Sequence, residues 1–353
     1  MAVELDNIHY QYREIDGYNK PFNFVMGARE VGKSAMFWIK KIYARWKISH
    51  KPWIIMTRSS VEINEAFITS IFDSIINKFT DDNITPEFNK GSFKDGIVDV
   101  KIKDKLFFRI VSLSIPLRRI KLAVLKNIDG VMMDEYIIDS RTGEKYIKEE
   151  AFKIKEAYTT WRREADGILK CYFLANVYSL FNPLFVSWKV DVNKLKKGSF
   201  YVGDNFVIHW CEINPLLREK LLEMNPLYKF DSDYIDYALA GNSRNDKNIK
   251  LGTLPKGFYL KYVFKIANQF LAVYRNPEIN EDEDRFFVRI EESVSNRRDI
   301  YCFDLEEMID RSILLSSDEK YKLSSFREAY RKRLVAFDNI NAYYLSEEIY
   351  KNL

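Results

Sequence analysis

Short apolar runs alternate with stretches of helical periodicity over the first half of the chain. That alternation predicts an α/β arrangement over residues 1 to about 197. Phe22-Asn23-Phe24-Val25-Met26 reads as a first buried strand, with a helical run over 35–41. Trp53-Ile54-Ile55-Met56-Thr57 reads as a second strand, and Ile63, Phe67, Ile71 and Ile75 mark a helix over 61–79. Residues 92–114 predict a β-hairpin insertion, ahead of the apolar strand that ends at Asp134 and Glu135. A helix over about 147–163 leads to the strand Cys171-Tyr172-Phe173-Leu174-Ala175, which ends at Asn176. Asn182-Pro183 marks a turn.

The pattern breaks at Lys194-Leu195-Lys196-Lys197-Gly198, and residues 198–250 read as a linker segment. Within it, 200–210 reads as strand and about 214–240 as a polar helical stretch; the strongest linker signal is 241–248. Beyond it come β-rich runs at 257–266, 268–275, 285–292 and 299–303, then amphipathic helices around 317–335 and 341–352. This predicts a smaller α+β domain over 251–353.

Residues 27–34 read Gly-Ala-Arg-Glu-Val-Gly-Lys-Ser, a full G-x-x-x-x-G-K-[ST] phosphate-binding loop between a strand and a helix. In such a loop the backbone N–H groups of Gly27, Ala28, Arg29, Glu30, Val31 and Gly32 and the positive helix end face phosphates. Lys33 then reaches the β and γ oxygens, and Ser34 ligates Mg²⁺. The strand Gly130-Val131-Met132-Met133 places Asp134 beside that Mg²⁺ and Glu135 where it can activate a water. An acid after the metal-binding Asp marks an ATP hydrolase of the ASCE type, and the guanine-reading Asn-Lys-x-Asp is missing. ATP and Mg²⁺ are the expected cofactors.

Composition changes this picture little. The 353 residues are enough for two cored domains, with 47% hydrophobic and 30% charged residues, as in soluble globular proteins. The 15% aromatic content is high and predicts aromatic cores and interfaces. A net charge of +4 is only mildly basic, so any nucleic-acid surface must be local. Cys171, Cys211 and Cys302 lack metal spacing and read as reduced thiols of an intracellular protein. No signal peptide and no membrane span are expected.

The chain resembles the DNA-packaging ATPases of small podoviruses of the phi-twenty-nine type, compact relatives of the large terminase subunit. The resemblance is carried by Asn23-Phe24-Val25-Met26-Gly27-Ala28-Arg29 with Gly32-Lys33-Ser34, then Ile115-Pro116-Leu117 and Asp134-Glu135. It continues in Leu174-Ala175-Asn176, Asn182-Pro183, Phe326, Ala329-Tyr330 and Phe337-Asp338-Asn339. It implies a P-loop motor domain with a mostly parallel sheet, then a small domain like a vestigial RNase H-like nuclease. It also implies a homopentameric ring at the prohead portal (connector), a packaging RNA, double-stranded DNA as substrate and no membrane. The place of action would be the host cytoplasm, transiently at the portal vertex.

For single residues the resemblance implies that Asn176 is a γ-phosphate sensor. Lys121 and Arg162, with Arg163 as a substitute, would act across the subunit interface. Arg58 would lie in a loop used near nucleotide and DNA, although the acids around it weaken a pore role. A working nuclease needs converging carboxylates. The hairpin 263–275 has none, and Glu281-Asp282-Glu283-Asp284 reads as a solvated hairpin tip. Arg297, Arg298, Arg327, Arg331 and Arg333, with Tyr330 among them, suit nucleic-acid backbones and stacked bases. Two rival functions stay open: another nucleic-acid ring ATPase (helicase-like or a nuclease-bearing terminase), and an ATP-gated assembly scaffold.

Overall fold

The computed structural model describes residues 8–139, 144–180, 182–225, 249–266, 269–278, 284–294, 299–303, 308–310, 312–315 and 317–353. The chain divides into two compact units. One takes residues 1–184 and 194–244, the other 185–193 and 245–353.

The first unit is built on a sheet whose central strands are buried, apart from the partly exposed Asp134 and Asn176 at two of their carboxyl ends. These strands are β1 (Phe22–Gly27), β2 (Trp53–Thr57), β6 (Gly130–Asp134) and β7 (Cys171–Asn176). Strands covered on both faces need continuous apolar runs, which is what their sequences supply. To these are added β3 (Glu87–Phe88), β4 (Ile97–Ile102), β5 (Lys105–Ser112), β8 (Ser199–Val202) and β9 (Phe206–Cys211). The order is β3-β4-β5-β2-β6-β7-β1-β9-β8. The pairings from β5 through β9 are parallel, and antiparallel hairpins close both edges.

Parallel register aligns the carboxyl ends of the central strands: Gly27 pairs with Asn176, and Asp134 with Leu174. Residues after those ends therefore gather at one edge, where open α/β sheets bind ligands. Aromatic packing holds the strands together. Phe24 stacks on Phe173 at 4.7 Å, and Tyr136 meets both rings edge-on.

Several sequence expectations are corrected. Residues 199–211 are not linker: β9 pairs with β1 along its whole length, so the first unit runs past residue 197. The helix expected over 147–163 spans Glu150–Trp161, and a 3₁₀ turn, Arg162–Glu164, follows it. The helix expected over 61–79 begins as a 3₁₀ turn, Ser60–Glu62, capped by Ser59, and restarts at Glu65 with Asn64 as N-cap. The described part of the stretch expected at 214–240 is the helix Pro215–Met224.

The second unit carries β10 (Tyr259–Ile266), β11 (Gln269–Arg275), β12 (Phe286–Glu291), β13 (Ile300–Cys302), β14 (Ser312–Leu314) and β15 (Val335–Phe337). Their order is β14-β13-β10-β11-β12-β15. β10, β11 and β12 form an antiparallel meander, while β13, β14 and β15 pair in parallel. The single helix expected over 317–335 is two helices, Ser317–Lys322 and Ser324–Arg331, followed by β15. Phe326 and Ala329 are fully buried in the core of this unit, together with Phe264 and Leu271.

Candidate nucleotide site

The loop between β1 and the helix Lys33–Met36 is shaped by two glycines. A Cβ on Gly27 would collide with Cys211, which lies opposite it on β9. Gly32 has φ +82°, a left-handed conformation that suits glycine, and the His9 ring packs against it. Glu30 also sits left-handed, at φ +57°. The segment before the first helix fastens the loop from outside, since Tyr10 N–H donates to Val31 O at 2.9 Å.

Lys33 is buried, and its ammonium is fully engaged. Nζ donates to Ala28 O at 2.6 Å and to Asn176 Oδ1 at 3.2 Å, with Gly27 O at 3.4 Å. Burial lowers its pKa, and the nearby Asp134 carboxylate opposes that shift. Asp134 accepts a hydrogen bond from the Ser34 side chain and one from Glu135 N–H at 3.0 Å. Burial raises the Asp134 pKa, against the pull of Ser34 and Lys33. A hydroxyl and a carboxylate side by side are hard oxygen donors, a set that fits Mg²⁺ completed by phosphate and water oxygens.

Glu135 follows the end of β6 at φ +55°, an unusual conformation for a non-glycine residue. It is solvent-exposed at the sheet edge. Partial desolvation, then the Asp134 charge, raise its pKa, in the direction that suits a base working near neutral pH.

What holds this turn is Arg58. Its guanidinium donates to Glu135 O at 3.3 Å and Tyr136 O at 3.0 Å. It forms a two-pronged ion pair with Glu150, at 2.9 and 3.1 Å, and lies 5.2 Å from the Tyr146 ring centre. Arg58 is 9% exposed and Glu150 1%. Arg58 is therefore not a loop residue free to meet DNA. It is a buried brace, and the partner that buries it lies 92 positions away.

The structure thus brings Lys33, Ser34, Asp134, Glu135 and Asn176 to one edge. It also adds Arg29, whose Nη2 donates to Tyr178 Oη at 2.6 Å. No sequence pattern singled out Tyr178, two residues beyond the β7 tip. Lys121 and Arg162 lie elsewhere in the same unit, on the face made by the helices Leu117–Leu122 and Glu150–Trp161. Lys121 pairs with Glu156 at 2.9 Å, and Trp161 Nε1 donates to Ile120 O at 3.2 Å. Arg162 and Arg163 are exposed at the end of that face.

In the second unit Arg327, Arg331 and Arg333 are exposed. Lys332 pairs with Glu328 at 2.7 Å. Tyr330 is not open for base stacking. It stacks on Tyr350 at 4.8 Å and its hydroxyl donates to Glu347 at 3.0 Å. Asp284 pairs with Lys250 at 2.7 Å. Arg297, Arg298 and residues 281–283 lie outside the described residues.

With this geometry in hand, comparison with known proteins settles the family. The family model for the Podovirus DNA encapsidation protein (Gp16) matches residues 5–353. The chain belongs to this family. It is 21% identical to a DNA packaging protein of Bacillus phage PZA, over 98% of each chain. It is 20% identical to that of Bacillus phage phi29, again over 98% of each. Its fold is similar to a chain of the bacteriophage Phi-29 viral genome packaging motor assembly. That match has a TM-score of 0.72 at 19% identity, covering 98% of this chain and 99% of the other. Among the described residues, no helix is long and apolar enough to cross a membrane.

Proposed function

We propose that this family member is an ATP-driven motor that moves double-stranded viral DNA into a preformed prohead. The observation that carries this is the convergence of Lys33, Ser34, Asp134, Glu135 and Asn176 at one sheet edge, in a chain whose relatives are named DNA packaging proteins. In this reading the loop N–H groups and Lys33 hold the phosphates of ATP. Ser34 and Asp134 would hold Mg²⁺, which would supply positive charge against the phosphates. Glu135 takes the proton of the attacking water, and Arg58 keeps its backbone in place. When phosphate takes the Lys33 donor, Asn176 loses the partner of its Oδ1 and can donate from its amide Nδ2 to a phosphate oxygen.

The further parts of the proposal are a homopentameric ring at the portal, a packaging RNA, and Lys121 and Arg162 acting across the subunit interface. Arg327, Arg331 and Arg333, with Arg297 and Arg298, would contact nucleic-acid phosphates without reading sequence. The second unit is read as a vestigial RNase H-like domain. Its strand order β12-β11-β10-β13-β14, an antiparallel meander continued by parallel strands, supports that reading. β10 and β11 carry no acid to hold a catalytic metal.

The test is ATP hydrolysis by the full chain with and without linear duplex DNA, followed by DNA entry into proheads. DNA-stimulated turnover together with protection of DNA from added nuclease supports the motor. ATP binding without sustained turnover favours an assembly scaffold.

A further inference from the structure

The segment that leaves β7 touches the glycine-rich loop three times. Val177 N–H donates to Gly27 O at 3.3 Å. Asn176 Oδ1 accepts from Lys33 at 3.2 Å, and Tyr178 Oη accepts from Arg29 at 2.6 Å. The two loop cations are therefore both held by one three-residue stretch. Tyr178 is buried, so its hydroxyl is fixed in place, and the Arg29 guanidinium also lies 5.7 Å from its ring centre. After partial desolvation and the Asp134 charge, which raise the Glu135 pKa, the Arg29 charge acts on the same carboxyl and lowers it. Beyond Tyr178 the chain runs into the helix Pro183–Ser187, within which the second unit takes its first residues.

A hydrogen bond given to Tyr178 must be surrendered before the same N–H reaches a phosphate oxygen. We propose that Tyr178 is a positioning residue for Arg29. On this proposal a bound triphosphate takes the Nη2 donor from the Tyr178 hydroxyl, as it takes Lys33 from Asn176, and so loosens residues 176–178 from the loop. This deepens the ATPase reading above and rests on it. Its new content is that the third phosphate is reported to the chain through a tyrosine hydroxyl as well as through the Asn176 amide. A diphosphate, with nothing at the far position, leaves the Arg29–Tyr178 bond in place.

The test uses the full chain with Mg²⁺ and either ADP or a slowly hydrolysed ATP analogue. In the wild type, amide exchange over 177–180 should rise with the ATP analogue and not with ADP. Tyr178→Phe keeps the ring and removes only the hydroxyl. It should show the raised exchange without any nucleotide. It should also bind the ATP analogue roughly tenfold more tightly, the scale of one hydrogen bond no longer exchanged. ADP affinity should change less than twofold. Arg29→Gln removes the same bond from the other side and should raise exchange over 177–180 without nucleotide as well. A wild type that binds the analogue with unchanged exchange at 177–180 overturns the proposal and leaves the ATPase reading standing. So does a Tyr178→Phe variant whose preference for the analogue over ADP is unaltered. A wild type that binds neither nucleotide overturns both.

Discussion

Lys33 Nζ and Asn176 Oδ1 meet at 3.2 Å, although 143 positions separate them in the chain. The loop lysine and the tip of the β7 strand therefore form one unit before any substrate contact is considered. Lysine has three N–H donors, and here they are spread over Asn176 and two loop carbonyls. A phosphate oxygen is a stronger acceptor than any of these, because it is charged.

Lys33→Ala should reduce ATP affinity on the order of 100-fold, since it removes charge-assisted hydrogen bonds to phosphate. Glu135→Gln should retain ATP affinity within a few-fold and lower turnover by roughly 10²- to 10⁴-fold, the range for loss of a general base. Equilibrium binding of a fluorescent ATP analogue and phosphate release distinguish the two. Glu135→Gln turning over at the wild-type rate would remove Glu135 from its assigned role.

A second prediction concerns the Arg58 brace. Glu150→Ala leaves a guanidinium in a buried place without its carboxylate, a change that costs about 3–5 kcal/mol. The thermal unfolding midpoint should fall, and Glu135 should lose its fixed backbone, so turnover falls as well. Arg58→Met combined with Glu150→Leu removes both charges together and should recover much of the lost stability. Its turnover should stay low, because the Glu135 and Tyr136 carbonyls still lack their donor. If the double variant turns over normally, the brace matters only for folding.

How far this arrangement could be read from the sequence depends on the range of the interactions. The β1 strand, glycine-rich loop and following helix were legible because each is a local pattern. So was the β6 strand ending at Asp134, and so was the β4–β5 hairpin. The burial of Arg58 was not. The resemblance implied a loop used near nucleotide and DNA, and only the distant Glu150 makes burial favourable. The 200–210 run was legible as a strand, but its pairing with β1 was not, because parallel pairing leaves no turn signature. The break between the Ser317–Lys322 and Ser324–Arg331 helices was missed for the opposite reason. Leu323 and Phe326 are both fully buried and continue an apolar helical spacing across the break.

His209 predicts a pH effect. Its ring stacks on Phe200 at 3.9 Å, and its Nδ1 lies 3.2 Å from Tyr10 Oη. Burial lowers its pKa to about 4, against about 6.5 in an unfolded chain. Between those values the unfolded chain binds the proton and the folded chain does not, so folding weakens as pH falls from about 6.5 towards 4. His209→Phe keeps the stacking and removes the titration. The wild type should lose on the order of 2 kcal/mol more stability than the variant between pH 7 and 4.5. Urea unfolding at the two pH values measures this, and equal losses would show that His209 accepts its proton without unfolding.

The last prediction concerns the face that carries Lys121 and Arg162. The Trp161 indole fixes the end of the Glu150–Trp161 helix against Ile120, so the exposed Arg162 projects from a rigid corner. Lys121 is already paired with Glu156, at partly exposed positions where such a pair contributes little. It can leave that partner at small cost, whereas Arg162 has only to reach. If Arg162 acts on a neighbour's ATP, a lone subunit lacks the charge that stabilises the transferring phosphoryl group. Arg162→Ala should then lower turnover by roughly 10³-fold or more while ATP binding persists. Mixing separates a trans role from a local one. Arg162→Ala subunits offer intact sites with no donor, and Lys33→Ala subunits offer donors with no site. Combined under conditions where rings form, they should regain part of the wild-type rate, because some interfaces join a good site to a good donor. Arg163→Ala serves as the control and should hydrolyse ATP close to the wild-type rate. If the roles of the two arginines are reversed, the mixing result moves with Arg163. If no mixture recovers activity, the face acts only within its own subunit.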